Sequence, residues 1–213
     1  MKTFTLTLLL FFGTLTLKAQ SADLYNLAMQ KGLSMIDSAG TSEQFAAAAN
    51  MFERIAPAAK NQWLPQYYAG YCGMLSAVLG KQTSDIKDAL YDKAMNYAEM
   101  ANALKPCNSD VLALEGYITF MKMAVAPQER AMTMIPKADE LLGKAMTLNP
   151  ANPRPFLVKG QDTFYTPEAF GGGKANAKKF LITATDLFKK SKPTEFEPRW
   201  GAKRCQDLLQ QCQ

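Results

Sequence analysis

Three segments of the chain carry the same helical stripe, and the same spacing follows each. Apolar residues stand at offsets of zero, four and seven in Ala48, Phe52 and Ile55, again in Ala94, Ala98 and Ala101, and again in Ala138, Leu142 and Ala145. Such offsets line one face of a helix. Twelve residues after the leading alanine of the second and third segments stand Pro106, in Leu-Lys-Pro-Cys-Asn, and Pro150, in Leu-Asn-Pro-Ala-Asn. Each stops a helix and opens a turn. The first segment has Lys60 at that place, and ten residues further on a glycine follows every time: Gly70, Gly116 and Gly160. One match would carry little weight, but a spacing found three times means a structural unit repeated along the chain.

A unit of this design is a pair of antiparallel helices that stacks on the next pair. Glycine in the first helix and alanine in the second sit where backbones approach closely, and proline ends the second helix so that the chain can turn. The pattern resembles the tetratricopeptide repeat over about residues 42–193. Its marks are a Gly or Ala in the first helix, an Ala-x-x-x-Phe-x-x-Ala stripe in the second and a closing Pro. The resemblance implies an all-α solenoid of antiparallel helix pairs. Departures are informative: Gly70 to Ala94 is 24 residues, Gly116 to Ala138 is 22 and Gly160 to Phe180 is 20, against about 12 in the regular repeat. The hairpins are therefore lengthened. The period becomes 46 and 44 residues instead of about 34, and since long hairpins also occur in the HEAT class, another α-solenoid stays open.

The coarse reading is nine helices, at 22–38, 43–58, 62–79, 84–104, 109–125, 128–148, 153–164, 173–190 and 197–211. They group into units 22–60, 61–106, 107–150 and 151–193 of a single domain, 20–213, closed by a polar C-terminal helix within 196–213 that fits the cap a solenoid needs. No segment alternates with period two over a useful length, so no sheet is expected. Tyr165 to Phe170 followed by Gly171-Gly172-Gly173 reads as a tight hairpin turn.

At the N-terminus, Lys2 precedes the charge-free, Leu- and Phe-rich run Thr3 to Leu17, and Ala19 offers a small residue for cleavage. This is the design of a secretory signal peptide over 1–19, which makes the mature chain periplasmic or secreted. No cysteine near that point could take a lipid. The charge-free stretch Asn61 to Gly80 contains Pro65, Gln66 and three tyrosines, so it reads as a buried helix and not a membrane span. The mature chain keeps 22 basic and 19 acidic residues, too weak a balance to argue for nucleic acid, although Lys and Arg gather between 174 and 204. Cys72, Cys107, Cys205 and Cys212 lack any Cys-x-x-Cys spacing and are expected to be free, mostly buried thiols.

The chain contains no histidine. That removes Ser-His and Cys-His nucleophiles, imidazole metal sites and most general-base schemes. Adjacent carboxylates such as Asp139 and Glu140, or Glu195 and Glu197, stand near helix starts, where they cap or are solvated. Gly171-Gly172-Gly173-Lys174 lacks the spacing and the Ser/Thr of a phosphate loop. The methionines, Met121/Met123 and Met132/Met134 among them, read as adaptable core residues and not as soft metal ligands. No catalytic residue, metal or cofactor is expected.

Function then falls to surface. In the tetratricopeptide pattern the first helix of each pair lines a concave face. The resemblance places Tyr67, Tyr71 and Met74, then Asp110, Tyr117 and Phe120, then Arg154, Leu157, Gln161 and Phe164 on that face, as an aromatic groove with a few polar contacts. Two occupants suit it. One is a peptide or a loop of an envelope protein; the other is a small apolar ligand, as in secreted tetratricopeptide proteins that accompany solute transporters.

Overall fold

The computed structural model describes residues 23–213, so the segment read as a signal peptide lies outside the described residues. All regular structure within them is helical: α1 (23–38), α2 (Ser42–Ile55), α3 (Trp63–Leu79), α4 (Ser84–Leu104), α5 (Ser109–Met123), α6 (Pro127–Leu148), α7 (Pro153–Tyr165), a short 3-10 turn (Glu168–Phe170), α8 (Lys174–Lys190) and α9 (Ala202–Gln211). Local chemistry sets these boundaries. Thr41 and Gln44 form a capping box at the start of α2, and Asn108 and Asn152 accept backbone N–H groups at the starts of α5 and α7. Proline stands in the first turn of α6 and α7, where no intrahelical donor is lost.

Successive helices pack as antiparallel pairs, α3 on α4, α5 on α6 and α7 on α8, and the first helices also touch one another, α3 against α5 and α5 against α7. The chain is thus an all-α solenoid. Inner and outer helices are buried to very different degrees. Eleven of the fifteen residues of α5 are buried, against only Ala138, Leu142 and Ala145 of the 22 in α6. An inner helix is therefore covered on more sides than its pair partner alone could cover it.

The repeated glycines sit where the helices of a pair meet. A Cβ on Gly70 would lie 2.8 Å from the Ala94 carbonyl oxygen; one on Gly116 would lie 2.9 Å from Leu142, and one on Gly160 2.7 Å from Leu181. Gly32 on α1 meets Phe52 in the same way, a fourth instance that the spacing rule did not pick out. The spacing also misplaced the last stripe. In α8 the buried residues are Ala177, Leu181 and Ala184, at offsets of zero, four and seven, while Phe180 is only half-buried. Phe180 drew the assignment because it is large, whereas the seam demands small residues flanking one branched one. Each fully buried leucine there contributes roughly 1.5–3 kcal/mol.

The largest departure from expectation is at the C-terminus. Helix α9 starts at Ala202, not 197, and residues 191–201 run as an irregular segment between α8 and α9. Pro193 and Pro198 resist helix, and Gly201 adopts φ of 111°, a left-handed conformation that suits glycine. Cys205 and Leu208 of α9, with Cys212 just past its end, pack against Ala177, Leu181 and Ala184 of α8. Residues 165–173 turn as expected, with Gly171 and Gly173 at positive φ, and a side chain on Gly172 would strike the Thr166 carbonyl. The cysteines are free, with Cys107 exposed and the other three buried. Among the methionines Met132 departs from the core reading, being 86% exposed. No described helix is long and apolar enough to cross a membrane.

Candidate functional site

The register set by the glycines explains which side chains converge where α3, α5 and α7 lie side by side. One residue after Gly70, Gly116 and Gly160 stand Tyr71, Tyr117 and Gln161; six before the last two stand Asp110 and Arg154. Because α3, α5 and α7 lie side by side, equal positions in consecutive helices become neighbours. Gln161 Nε2 donates to Tyr117 Oη at 3.1 Å, and Arg154 Nη1 donates to Asp110 Oδ1 at 3.1 Å. Asn152, having capped α7, donates to Asp110 at 2.9 Å.

Residues 191–201 lie across this surface. The Trp200 ring stacks on Tyr71, with centroids 5.0 Å apart and planes 18° from parallel, and Tyr117 flanks it at 6.0 Å. Its Nε1 donates to Tyr67 Oη at 2.8 Å, and the Arg154 guanidinium lies 5.5 Å from its ring centre. Pro198 offers its carbonyl to Arg154 Nη2. Further along, Phe196 meets Tyr25 of α1 edge-on, and its carbonyl accepts from Tyr68 Oη at 2.9 Å. Gln30 Nε2 donates to Glu195 Oε1 at 2.8 Å. At the other edge Arg204 donates to Gln161 Oε1 and to Tyr165 Oη.

Of the ten residues placed on the concave face from the sequence, Tyr67, Tyr71, Tyr117 and Arg154 surround Trp200, and Asp110 and Gln161 stand one hydrogen bond behind them. The others go elsewhere. Met74 is wholly buried in the main core, and Phe120 packs with Met123 and Ala138 between α5 and α6. Leu157 and Phe164 belong to the cluster that α8 and α9 share. The register shows why Phe164 separates from Tyr71 and Tyr117: it lies four residues past its glycine instead of one, and Gln161 holds the matching place. The groove is also not open, since the chain's own segment covers it. Trp200, Phe196 and Tyr68, together with Arg204, were missing from the sequence reading. The available signal was two prolines bracketing Phe196 and closely followed by Trp200, in a stretch without helical period.

Burial shapes the electrostatics. Desolvation holds the phenols of Tyr67 and Tyr71 well above the usual tyrosine range and raises that of Tyr117, so all three are neutral hydrogen-bonding groups. Burial also raises the Asp110 carboxyl, opposed by the Arg154 charge and by hydrogen bonds from Asn152 and Arg154. Arg154 Nε is buried and has no hydrogen-bond partner among the described residues. A cleft of about 350 Å³ opens beside this pair, lined by Asn149, Asn152, Lys190, Lys192 and Glu197 among others. No cluster of three or more metal-ligating side chains occurs among the described residues. The arrangement suits stacking on a flat ring and pairing with an anion.

No protein-family model matches the chain, and no curated protein sequence does. Among solved structures it is similar to the HusA haemophore from Porphyromonas gingivalis, with 29% identity and a TM-score of 0.79, over 88% of this chain and 92% of that chain. The likeness is thus to a binding protein over nearly the whole length of both.

Proposed function

We propose that this chain is a non-catalytic carrier of a flat, largely apolar ligand bearing carboxylates, of the haem class, and that the ligand sits on the concave side between α3, α5 and α7. One observation carries the reading: a flat aromatic ring, the Trp200 indole, already lies against Tyr71 and Tyr117 with a guanidinium beside it. The likeness to a haemophore supports the same ligand class. Lacking histidine, the chain would hold such a ring by stacking and by Arg154 and Arg204, with the neutral phenols as weak candidates for iron. The peptide reading has an observation of its own, since the occupant of the groove is a peptide segment, residues 191–201. On either reading residues 20–213 work as one tetratricopeptide-like domain outside the cytoplasm after export.

Titrating haemin and metal-free protoporphyrin into protein 20–213 tests the ligand class. Both should bind one per chain, with a shifted Soret band, because stacking and not iron ligation carries the affinity. Paired Tyr71→Leu and Tyr117→Leu changes should weaken binding at least tenfold, about 1.4 kcal/mol, in protein whose circular dichroism stays helical. Absent binding of both porphyrins would reject the reading.

A further inference from the structure

Residues 191–201 lie without helical structure against side chains of α1, α3, α5 and α7. Anchors hold the segment at its tip and near its end: Glu195 and Phe196 against Gln30, Tyr25 and Tyr68, then Pro198 and Trp200 against Arg154, Tyr67 and Tyr71. The polar anchors are the Gln30 amide, the Tyr67 and Tyr68 hydroxyls and the Arg154 guanidinium, groups that also bond the oxygen atoms of a ligand. Phe196 and Trp200 of the segment pack against the edge of the main core while staying partly exposed, unlike the fully buried leucines of the helix seams, and only Pro198 is buried. Helix-breaking residues mark both ends of the segment. Pro193 follows the end of α8, and Gly201, at φ of 111°, precedes α9. A side chain at Gly201 would strike Leu157 and Phe188, so α9 is held firmly at that point and motion is confined to the residues before it.

The hydrogen bonding of Arg154 shows what the segment leaves unfilled. Its Nη1 is committed to Asp110, and its Nη2 meets the single carbonyl of Pro198, while Nε on the same edge has no partner among the described residues. An Nε/Nη2 edge is a fork that a carboxylate fills with two charge-assisted bonds, roughly twice as strong as bonds between neutral groups. A flat ligand with a carboxylate would therefore gain on both counts, replacing the indole between Tyr71 and Tyr117 and the carbonyl on the Arg154 fork.

We infer that residues 191–201 are a displaceable strap that competes with the ligand, Trp200 holding the ligand's place and the Pro198 carbonyl the place of its carboxylate. The inference rests on the haem-class reading of the site. Binding and strap release are then one event, and the apparent affinity is lowered by the closed fraction.

A reversible staple tests it. Gln30→Cys with Glu195→Cys, in a Cys107→Ser background that removes the exposed thiol, places two thiols where the tips of two long side chains now touch at 2.8 Å, a span that a short bis-methanethiosulfonate bridges by forming a disulfide with each cysteine. Haemin affinity is measured on the same protein cross-linked and then reduced with a phosphine, the cross-link being verified by mass. The cross-linked form should bind at least tenfold more weakly, and reduction should restore the affinity of unmodified protein. Equal affinity in the two states overturns the strap and leaves the haem reading standing. Failure of both the reduced form and the unmodified protein to bind haemin overturns both.

Discussion

Two buried surfaces of this molecule are made from different chemistry. The seams inside the helix pairs are glycine and alanine, as in Gly70 against Ala94, with one leucine added in Gly116 against Leu142 and Gly160 against Leu181. The surface under residues 191–201 is tyrosine, arginine, asparagine and glutamine, with a hydrogen bond or ring contact at nearly every side chain. A seam of small residues has no substitute partner, because only close backbone approach fills it. Aromatic and guanidinium groups keep most of their interactions with a different ring or anion. On the proposed function, the contrast separates what must stay together for folding from what exchanges on binding.

The seam should be the more costly to disturb. Gly70→Leu drives a side chain into the Ala94 carbonyl, and about 3 kcal/mol or more should be lost, read as a fall in melting temperature. Porphyrin affinity in the folded fraction should not change. A well-folded Gly70→Leu protein would blur the distinction between the two surfaces. On the concave side, Trp200→Ala removes a half-buried indole and should cost about 2 kcal/mol of stability, below the roughly 3–5 kcal/mol of a core aromatic. Affinity for haemin should rise, because the ligand no longer has a ring to displace. Weaker binding in folded Trp200→Ala protein would make Trp200 part of the site wall.

A third prediction concerns Asp162, which lies on α7 and is almost fully buried, with one carboxylate oxygen lacking a partner among the described residues. Desolvation raises its pKa to about 6, opposed by the Lys159 charge. The folded state thus favours the protonated acid. Its contribution to stability is fully present below the unfolded value of about 3.9 and is lost as pH rises through about 6. Asp162→Asn should therefore stabilise the protein by about 1–2 kcal/mol at pH 8 relative to its effect at pH 4. Thermal melts at the two pH values check this, and an identical shift at both would contradict it. Smallest of all, Asn96→Ala and Lys144→Ala on exposed outer-helix positions should stay within about 0.5 kcal/mol and leave binding unchanged.

The same contrast governs what the sequence revealed. Ala94, Ala98 and Ala101 announce their seam because a helix repeats contacts every three or four residues, and the glycine-to-glycine spacing carries that register from unit to unit. Tyr71 and Tyr117 follow from the register, and both rings stand against Trp200. The strap is invisible to such reasoning: Trp200 meets Tyr67 across 133 residues, Phe196 meets Tyr68 across 128, and Glu195 meets Gln30 across 165. No local period records a contact of that range. The misplacement of Phe164 has a narrower cause: its aromatic character counted ahead of its register, which Gln161, placed on the same face, keeps and uses through hydrogen bonds. In α8 the size of Phe180 hid the Ala177, Leu181 and Ala184 stripe for the same reason.

Exchange of one surface while the other holds is best observed directly. Hydrogen–deuterium exchange of protein 20–213, with and without saturating haemin, reports both surfaces in one experiment. Peptides covering 191–201 should exchange faster when haemin is bound, while those covering the α5/α6 and α7/α8 seams keep or gain protection. Slower exchange of 191–201 on haemin binding, with the seams unchanged, would contradict the account, for it would mean that the segment closes on the ligand instead of yielding its place.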